Sequence, residues 1–216
     1  MISSYSGPMS NWLERLLGET QLRLLSLLRR SRHTVTTLAE ALGLTDNAVR
    51  MHIAALHRDG IVAQVGTQRD TGGKPARVYG LTREGEELFP KAYAIVLSKL
   101  VGEIVHTEGR DRAIALLRAV GAQAAAGAHK GASAKQKMES AAAVFQSLGA
   151  DVEVQQTPAG WRLQGYGCPL SAVTSGHAEM CELGKALVQE VVGGPVKECC
   201  QRGDHPRCAF EIDSAA

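Results

Sequence analysis

The stretch that decides the fold runs from Thr37 to Val62, TLAEALGLTDNAVRMHIAALHRDGIV. Its first part predicts a short helix over Thr37–Leu42, preceded by Thr36, with Leu38, Ala39 and Leu42 facing inward. Gly43 supplies a tight turn, and Thr45 or Asp46 suits the cap of a second helix running to about His57. Val49, Ile53 and Leu56 recur in that helix at i, i+4 and i+7 and form its buried stripe. Helix, glycine turn and second helix make a helix-turn-helix pattern. Thr45, Asn47 and Arg50 fall on the opposite face. Arginine grips guanine, and asparagine grips adenine, through paired hydrogen bonds in the major groove.

Working outward, Asp59-Gly60 ends the second helix. Ile61 to Gln68 reads as a strand, RDTGGKP as a polar turn and ARVYGLT as the returning strand. A hairpin straight after a recognition helix is a wing. Its tip carries Arg69, Lys74 and Arg77 around Gly72-Gly73, where bare backbone approaches a phosphate closely and the cations release counterions. Asp70 opposes them. From Gln21 to Arg83 ten Lys/Arg face four acids, although the whole chain carries only +2. Such a basic segment in a nearly neutral chain marks a polyanion partner. On the N-terminal side, leucines from Leu13 to Leu28 recur at helical spacing and are interrupted at Gly18, which predicts a short helix and then a longer one. Residues 20 to 82, with TLAEALGLTDNAVRMHIAALHRDGIV and GGKPARVYGLT, resemble the winged-helix domain of bacterial ArsR/DeoR-type regulators. The resemblance implies a double-stranded DNA operator, bound by a dimer on two spaced half-sites.

The first residues carry no signal-peptide pattern, and no apolar run approaches the 18 or so residues of a membrane span. A cytoplasmic protein is expected, with no membrane partner and with thiols kept reduced. Hydrophobic residues make up 44% of the chain but aromatics only 4%, so its cores rest on Leu, Val, Ile and Ala.

From Thr82 to His106 a long helical pattern runs through Leu88, Tyr93, Val96, Leu97, Leu100, Val101 and Ile104, with Pro90 at the N-terminal turn of its main part. So broad an apolar surface needs cover. A dimer interface is the preferred cover, and packing within the subunit is the alternative. Further helices are expected over Asp111–Ala128 and Ser133–Leu148, with His129 in the connection between them. Strands follow at Asp151–Gln156 and Trp161–Tyr166. A helix starting at Ser175 or Gly176 contains Cys181 and runs to about Val192. Val196–Gln201 and Arg207–Asp213 form a last hairpin.

All five cysteines fall between Cys168 and Cys208, with 12 residues between the first two and 7 between the last two. Side chains alternate along a strand, so Cys199 and Cys200 point to opposite faces. Val196 marks the inward face of its strand, and Phe210 and Ile212 mark that of the partner strand. Cys200 therefore joins Cys208, and the candidate ligands are Cys168, Cys181, Cys200 and Cys208, with Cys199 as the alternative to Cys200. Four thiolates suit zinc or an iron–sulfur cluster. The chain lacks the closely paired cysteines of structural zinc sites, and ligands from a loop, a helix and a hairpin suit a larger cofactor. A [4Fe-4S] cluster is expected, with zinc as the alternative. His177, one turn before Cys181, is read as a donor beside the ligands, with a ligand role as the alternative.

The combination resembles the SufR-type regulators, most clearly in YGCPLSAVTSGHAEMC and RGDHPRCAFEI. The resemblance implies a repressor of iron–sulfur assembly genes that reads cluster occupancy, with Cys168, Cys181 and Cys208 as ligands. The chain departs from that family at Gly194-Pro195, where a third cysteine is usual; here the Cys199-Cys200 pair comes later. The expected architecture is α+β. It has a winged helix-turn-helix over 11–82, a linking and dimerisation helix over 83–108 and a cysteine-bearing α+β sensor domain over 109–216. The expected function is a homodimeric transcription regulator and not an enzyme. Two other readings stand beside it. One is a regulator sensing zinc or oxidants through its thiols, and the other an enzyme with a cysteine nucleophile, although no nucleophile signature surrounds any cysteine.

Overall fold

The computed structural model describes residues 10–69, 75–129 and 131–213. The chain is α+β and divides into two compact units, Met1–Lys91 and Ala92–Ala216. Among the described residues no helix is long and apolar enough to cross a membrane.

In the first unit, α1 (Ser10–Leu17) and α2 (Glu19–Arg30) are separated at Gly18. A two-residue strand, β1 (His33–Thr34), leads into α3 (Val35–Leu42). The sequence pattern puts the start of this helix two residues later. Thr34 explains the difference. Its hydroxyl accepts the Thr37 backbone N–H while the Thr37 hydroxyl accepts the Thr34 N–H, a reciprocal cap that starts the helix earlier. Gly43 turns the chain in the left-handed region at φ 69, where glycine carries no Cβ penalty. Thr45 caps α4 (Asp46–Arg58) by accepting the Ala48 N–H at 3.2 Å.

Leu24, Leu25, Leu38 and Val49 are wholly buried where α2, α3 and α4 meet, with Leu56 and Val62 nearly so. Each such side chain stabilises the unit by about 2 kcal/mol on burial, so aliphatic side chains build most of this core with little aromatic help. Strands β2 (Val62–Gln68) and β3 (Ala76–Leu81) form an antiparallel hairpin with an irregularity between Gln64 and Gly66, and β1 adds to β3 on the other edge. The helix expected from Thr82 onward is two helices. The first, α5 (Arg83–Glu87), is capped by Thr82 and lies in this unit. Pro90 falls in the break after it, where a missing N–H and a fixed φ oppose continuous helix.

The second unit begins with α6 (Tyr93–Glu108), α7 (Arg110–Ala124) and α8 (Ala134–Ser147), the last opened by a Ser133/Gln136 capping box. An antiparallel sheet comes next, in the order β4-β5-β7-β6: β4 (Val152–Gln156), β5 (Gly160–Gly165), β6 (Lys197–Glu198) and β7 (Ala209–Asp213). Between β5 and β6 lie a short helix α9 (Ser171–Thr174), a single 3-10 turn over Ala178–Met180, and α10 (Cys181–Val192). The helix expected to begin at Ser175 or Gly176 thus begins at Cys181. Met138, Phe145, Leu163, Leu187, Val188 and Phe210 fill the core among α8, α10 and the sheet. α7 approaches α10 so closely that a Cβ at Gly121 would collide with the Leu183 carbonyl. A smaller core of Val101, Leu117, Val173 and Met180 joins α6, α7 and the segment ahead of α10.

Candidate nucleic-acid face and thiol pocket

Helix α4 buries Val49, Ile53 and Leu56 and turns Asn47, Arg50, Met51, Ala54 and Arg58 outward. Met51 is 69% exposed, an unusual position for a large apolar side chain. Arg50 pairs with Asp46 at 3.3 Å across one helical turn. Both side chains are well exposed, so the pair is worth only a few tenths of a kcal/mol and leaves Arg50 open to a stronger partner. Thr45 is exposed, but its hydroxyl oxygen is engaged as the helix cap.

A groove between α4 and the hairpin is lined by Arg50, Ala54, His57, Arg58, Gln64 and Arg77, floored by Ile53 and Tyr79. Arg50 and Arg77, singled out in the sequence for separate reasons, therefore meet at one surface. Arg69 is exposed just beyond β2, whereas Lys74, with Asp70 and Gly72-Gly73, lies outside the described residues. His57, Arg58 and Gln64 were not among the sequence candidates. Helical spacing held the signal for two of them: His57 and Arg58 stand two turns beyond Arg50 on the solvent side of the same stripe.

In the second unit one pocket is lined by Cys168, Cys181, Cys200 and Cys208, together with Thr174, Ser175, Gln201, Arg202 and Arg207. The four thiols come from four places. Cys168 lies in the loop after β5, Cys181 opens α10, Cys200 follows β6 and Cys208 precedes β7. Glu198 pairs with Phe210, and Gln201 bridges to Arg207. That register sets Cys200 opposite Cys208, while the Ala209 N–H donates to the Cys200 sulfur at 3.3 Å. Cys199 does not line the pocket, and its thiol lies near Glu211 and the Lys197 carbonyl instead.

All five cysteines are free thiols. The four in the pocket perturb one another and divide into two kinds. The neighbouring Cys181, and then Cys208, lower the Cys200 thiol. Cys208 likewise lowers Cys168. Cys181 and Cys208 are pushed well above the usual thiol range by their thiol neighbours and by burial. Thiols that perturb one another in this way share their protons, and a cation entering the pocket would displace them. Burial, then the Glu211 carboxylate, raise Cys199. Among the described residues no three His, Cys, Asp or Glu side chains stand ready as a cage for a single ion.

His177 does not line the pocket; its ring lies against Gly102 on α6. His129 is exposed in the connection after α7. Arg202 is among the pocket residues that sequence reasoning missed, since Cys181, which lines the pocket with it, lies in a separate segment.

Residues 18–64, from the start of α2 into β2, match the family described as bacterial regulatory protein, arsR family. The helix-turn-helix of the first unit is therefore similar to that of this family. No curated protein matches the chain. Among solved structures, a mutant of Lactococcus lactis ZitR aligns with 18% identity over 40% of this chain and 72% of its own, at a TM-score of 0.27. The apo form of that mutant aligns with 20% identity over 44% and 86%, also at 0.27. The adhesin competence repressor AdcR from Streptococcus pyogenes aligns with 19% identity over 51% and 90%, at 0.29.

Proposed function

We propose that this protein is a homodimeric transcription regulator, acting as a repressor, whose operator binding is governed by an iron–sulfur cluster held by Cys168, Cys181, Cys200 and Cys208. The observation that carries this reading is the convergence of four free thiols from four separate segments on one pocket, in a chain with a helix-turn-helix similar to that of the arsR family. The donor set fits the group: a [4Fe-4S] cluster takes four thiolates. When bound, such a cluster supplies an iron- and redox-dependent link among the four sulfurs.

The rest of the reading concerns what the chain's own residues do. Cys168 and Cys181 bracket a segment whose Val173 and Met180 pack with Val101 of α6. Any change in how those two sulfurs are held is therefore felt at α6. That helix presents Tyr93, Ile95, Val96 and Leu100 to solvent at exposures of 55–74%, a row of large apolar side chains that a second copy of the chain would cover. α6 follows directly on the DNA-binding unit in the chain, so its pairing sets the distance between two recognition helices. Asn47 and Arg50 read base edges, while Arg69, Arg77 and the wing tip with Lys74 neutralise phosphates. Ligand and operator affinities are then coupled in both directions.

The test uses full-length protein purified anaerobically, with iron and acid-labile sulfide assayed on the sample used for DNA binding. The probe is a duplex selected from a random library by that protein. Brown protein containing iron and sulfide, with an affinity that changes on stripping at fixed salt, supports the reading. A colourless zinc-loaded protein, or equal affinity in both forms, overturns it.

A further inference from the structure

We propose that Arg202 is a positioning and charge-setting residue for the cluster, raising its reduction potential by placing a guanidinium beside the Cys181 sulfur. The inference rests on the reading that the four thiols hold an iron–sulfur cluster. Arg202 sits at the start of the loop joining Cys200 to Cys208, and the Gln201–Arg207 bridge pins the base of that loop. Its side chain lines the thiol pocket. Glu198, four residues earlier and largely covered, accepts a hydrogen bond from Arg202 Nη2 at 3.0 Å. That contact fixes one edge of the planar guanidinium and leaves its other N–H groups for the pocket that Cys181 also lines.

Reduction adds one negative charge to a centre already surrounded by four thiolates. A fixed cation and an N–H donor at one sulfur stabilise the more negative state, so the potential rises. Lysine keeps the charge and loses only the fork. Glutamine keeps hydrogen-bonding groups and loses the charge. Arg207 serves as a control, since it carries the same charge on the same loop and lines the same pocket.

The experiment compares the full-length anaerobic protein with R202Q, R202K and R207Q. Iron and sulfide are assayed, and midpoint potentials are taken from dye-mediated titrations followed by electron paramagnetic resonance. The expected result is comparable loading throughout, a more negative midpoint in R202Q, a near wild-type midpoint in R202K and a smaller shift in R207Q. A loaded R202Q with an unchanged midpoint overturns the proposal, as does an equal shift in R207Q. If R202Q fails to load, R202K decides. Loading with a near wild-type midpoint supports charge setting, and failure to load overturns it in favour of a purely structural guanidinium. Wild-type protein that takes up no iron and sulfide defeats the cluster reading itself, a result distinct from any failure of Arg202.

Discussion

The imidazole of His177 lies against Gly102: a Cβ on that glycine would stand 3.3 Å from Cε1 and 3.7 Å from Nε2. His177 belongs to the segment between Cys168 and Cys181, and Gly102 lies one residue beyond the buried Val101 of α6. The absence of a side chain at Gly102 thus gives the thiol-bearing segment its seat on the helix proposed to pair with a second copy. Alanine would crowd the ring by a few tenths of an ångström, whereas leucine must displace it.

G102L is therefore expected to keep its iron and sulfide while bringing the ratio of loaded to stripped operator affinity towards unity, with G102A intermediate. Replacing a helical glycine favours α6 by up to about 1 kcal/mol, so loss of coupling would not reflect a weaker helix. Full coupling in G102L would separate this contact from the signal.

The adjacent thiols should behave as opposites. Cys200 stands across from Cys208 inside the pocket, while the Cys199 backbone bonds to the Ala209 carbonyl at 2.8 Å and its thiol points elsewhere. C199S should retain wild-type iron and sulfide after anaerobic reconstitution, and C200S should lose most of both. The reverse pattern would mean that the strand slips by one residue when loaded.

The helix-turn-helix is legible in the sequence because its signals are local. Val49, Ile53 and Leu56 repeat at helical spacing, Gly43 marks the turn, and Thr45 caps the second helix. The start of α3 escapes the apolar pattern because the reciprocal Thr34–Thr37 cap, not apolar spacing, sets it. The break at Pro90 reads as a helix start, since apolar spacing continues on both sides of it and only the proline's chemistry interrupts the backbone. Strand parity suffices to separate Cys200 from Cys199. The places of Arg202 beside Cys181 and of Gln64 beside α4 are not legible, because they arise only when separate segments meet.

Glu86 ties the end of the first unit together. It accepts from Arg29 at 3.0 Å and Lys91 at 3.3 Å, and the Arg29 guanidinium lies 4.3 Å above the Phe89 ring. Burial pushes its carboxyl up, but the bonds from Lys91 and Arg29 outweigh this and leave it below the usual 4.5. A value lower in the folded than in the unfolded state means stability present above 4.5 and lost as pH falls through the folded value. Glu86 is 40% exposed, so solvent screening limits the effect to about 0.5–1 kcal/mol. E86Q should lower stability by that amount at neutral pH and by less near pH ~3, as read by denaturant titration. An equal difference at both pH values would show that the carboxylate charge is not what Arg29 and Lys91 hold.

Arg50 and Arg77 border one groove but should fail in different ways. Arg77 projects from a strand of the wing, where a phosphate is the natural contact, and charge there carries no sequence information. R77A should weaken binding to all duplexes alike and reduce the slope of log affinity against log salt by about 1. Arg50 projects from the recognition helix, and Asp46 orients its guanidinium through a pair too exposed to hold it back. R50A should cost about 1–3 kcal/mol on the selected duplex, far less on random DNA, and relax the preference at one base pair. Binding by both variants to selected and random duplexes over a salt series separates the roles. A uniform loss from R50A, or a base-specific loss from R77A, would exchange the two assignments and place the wing, not the helix, over the bases.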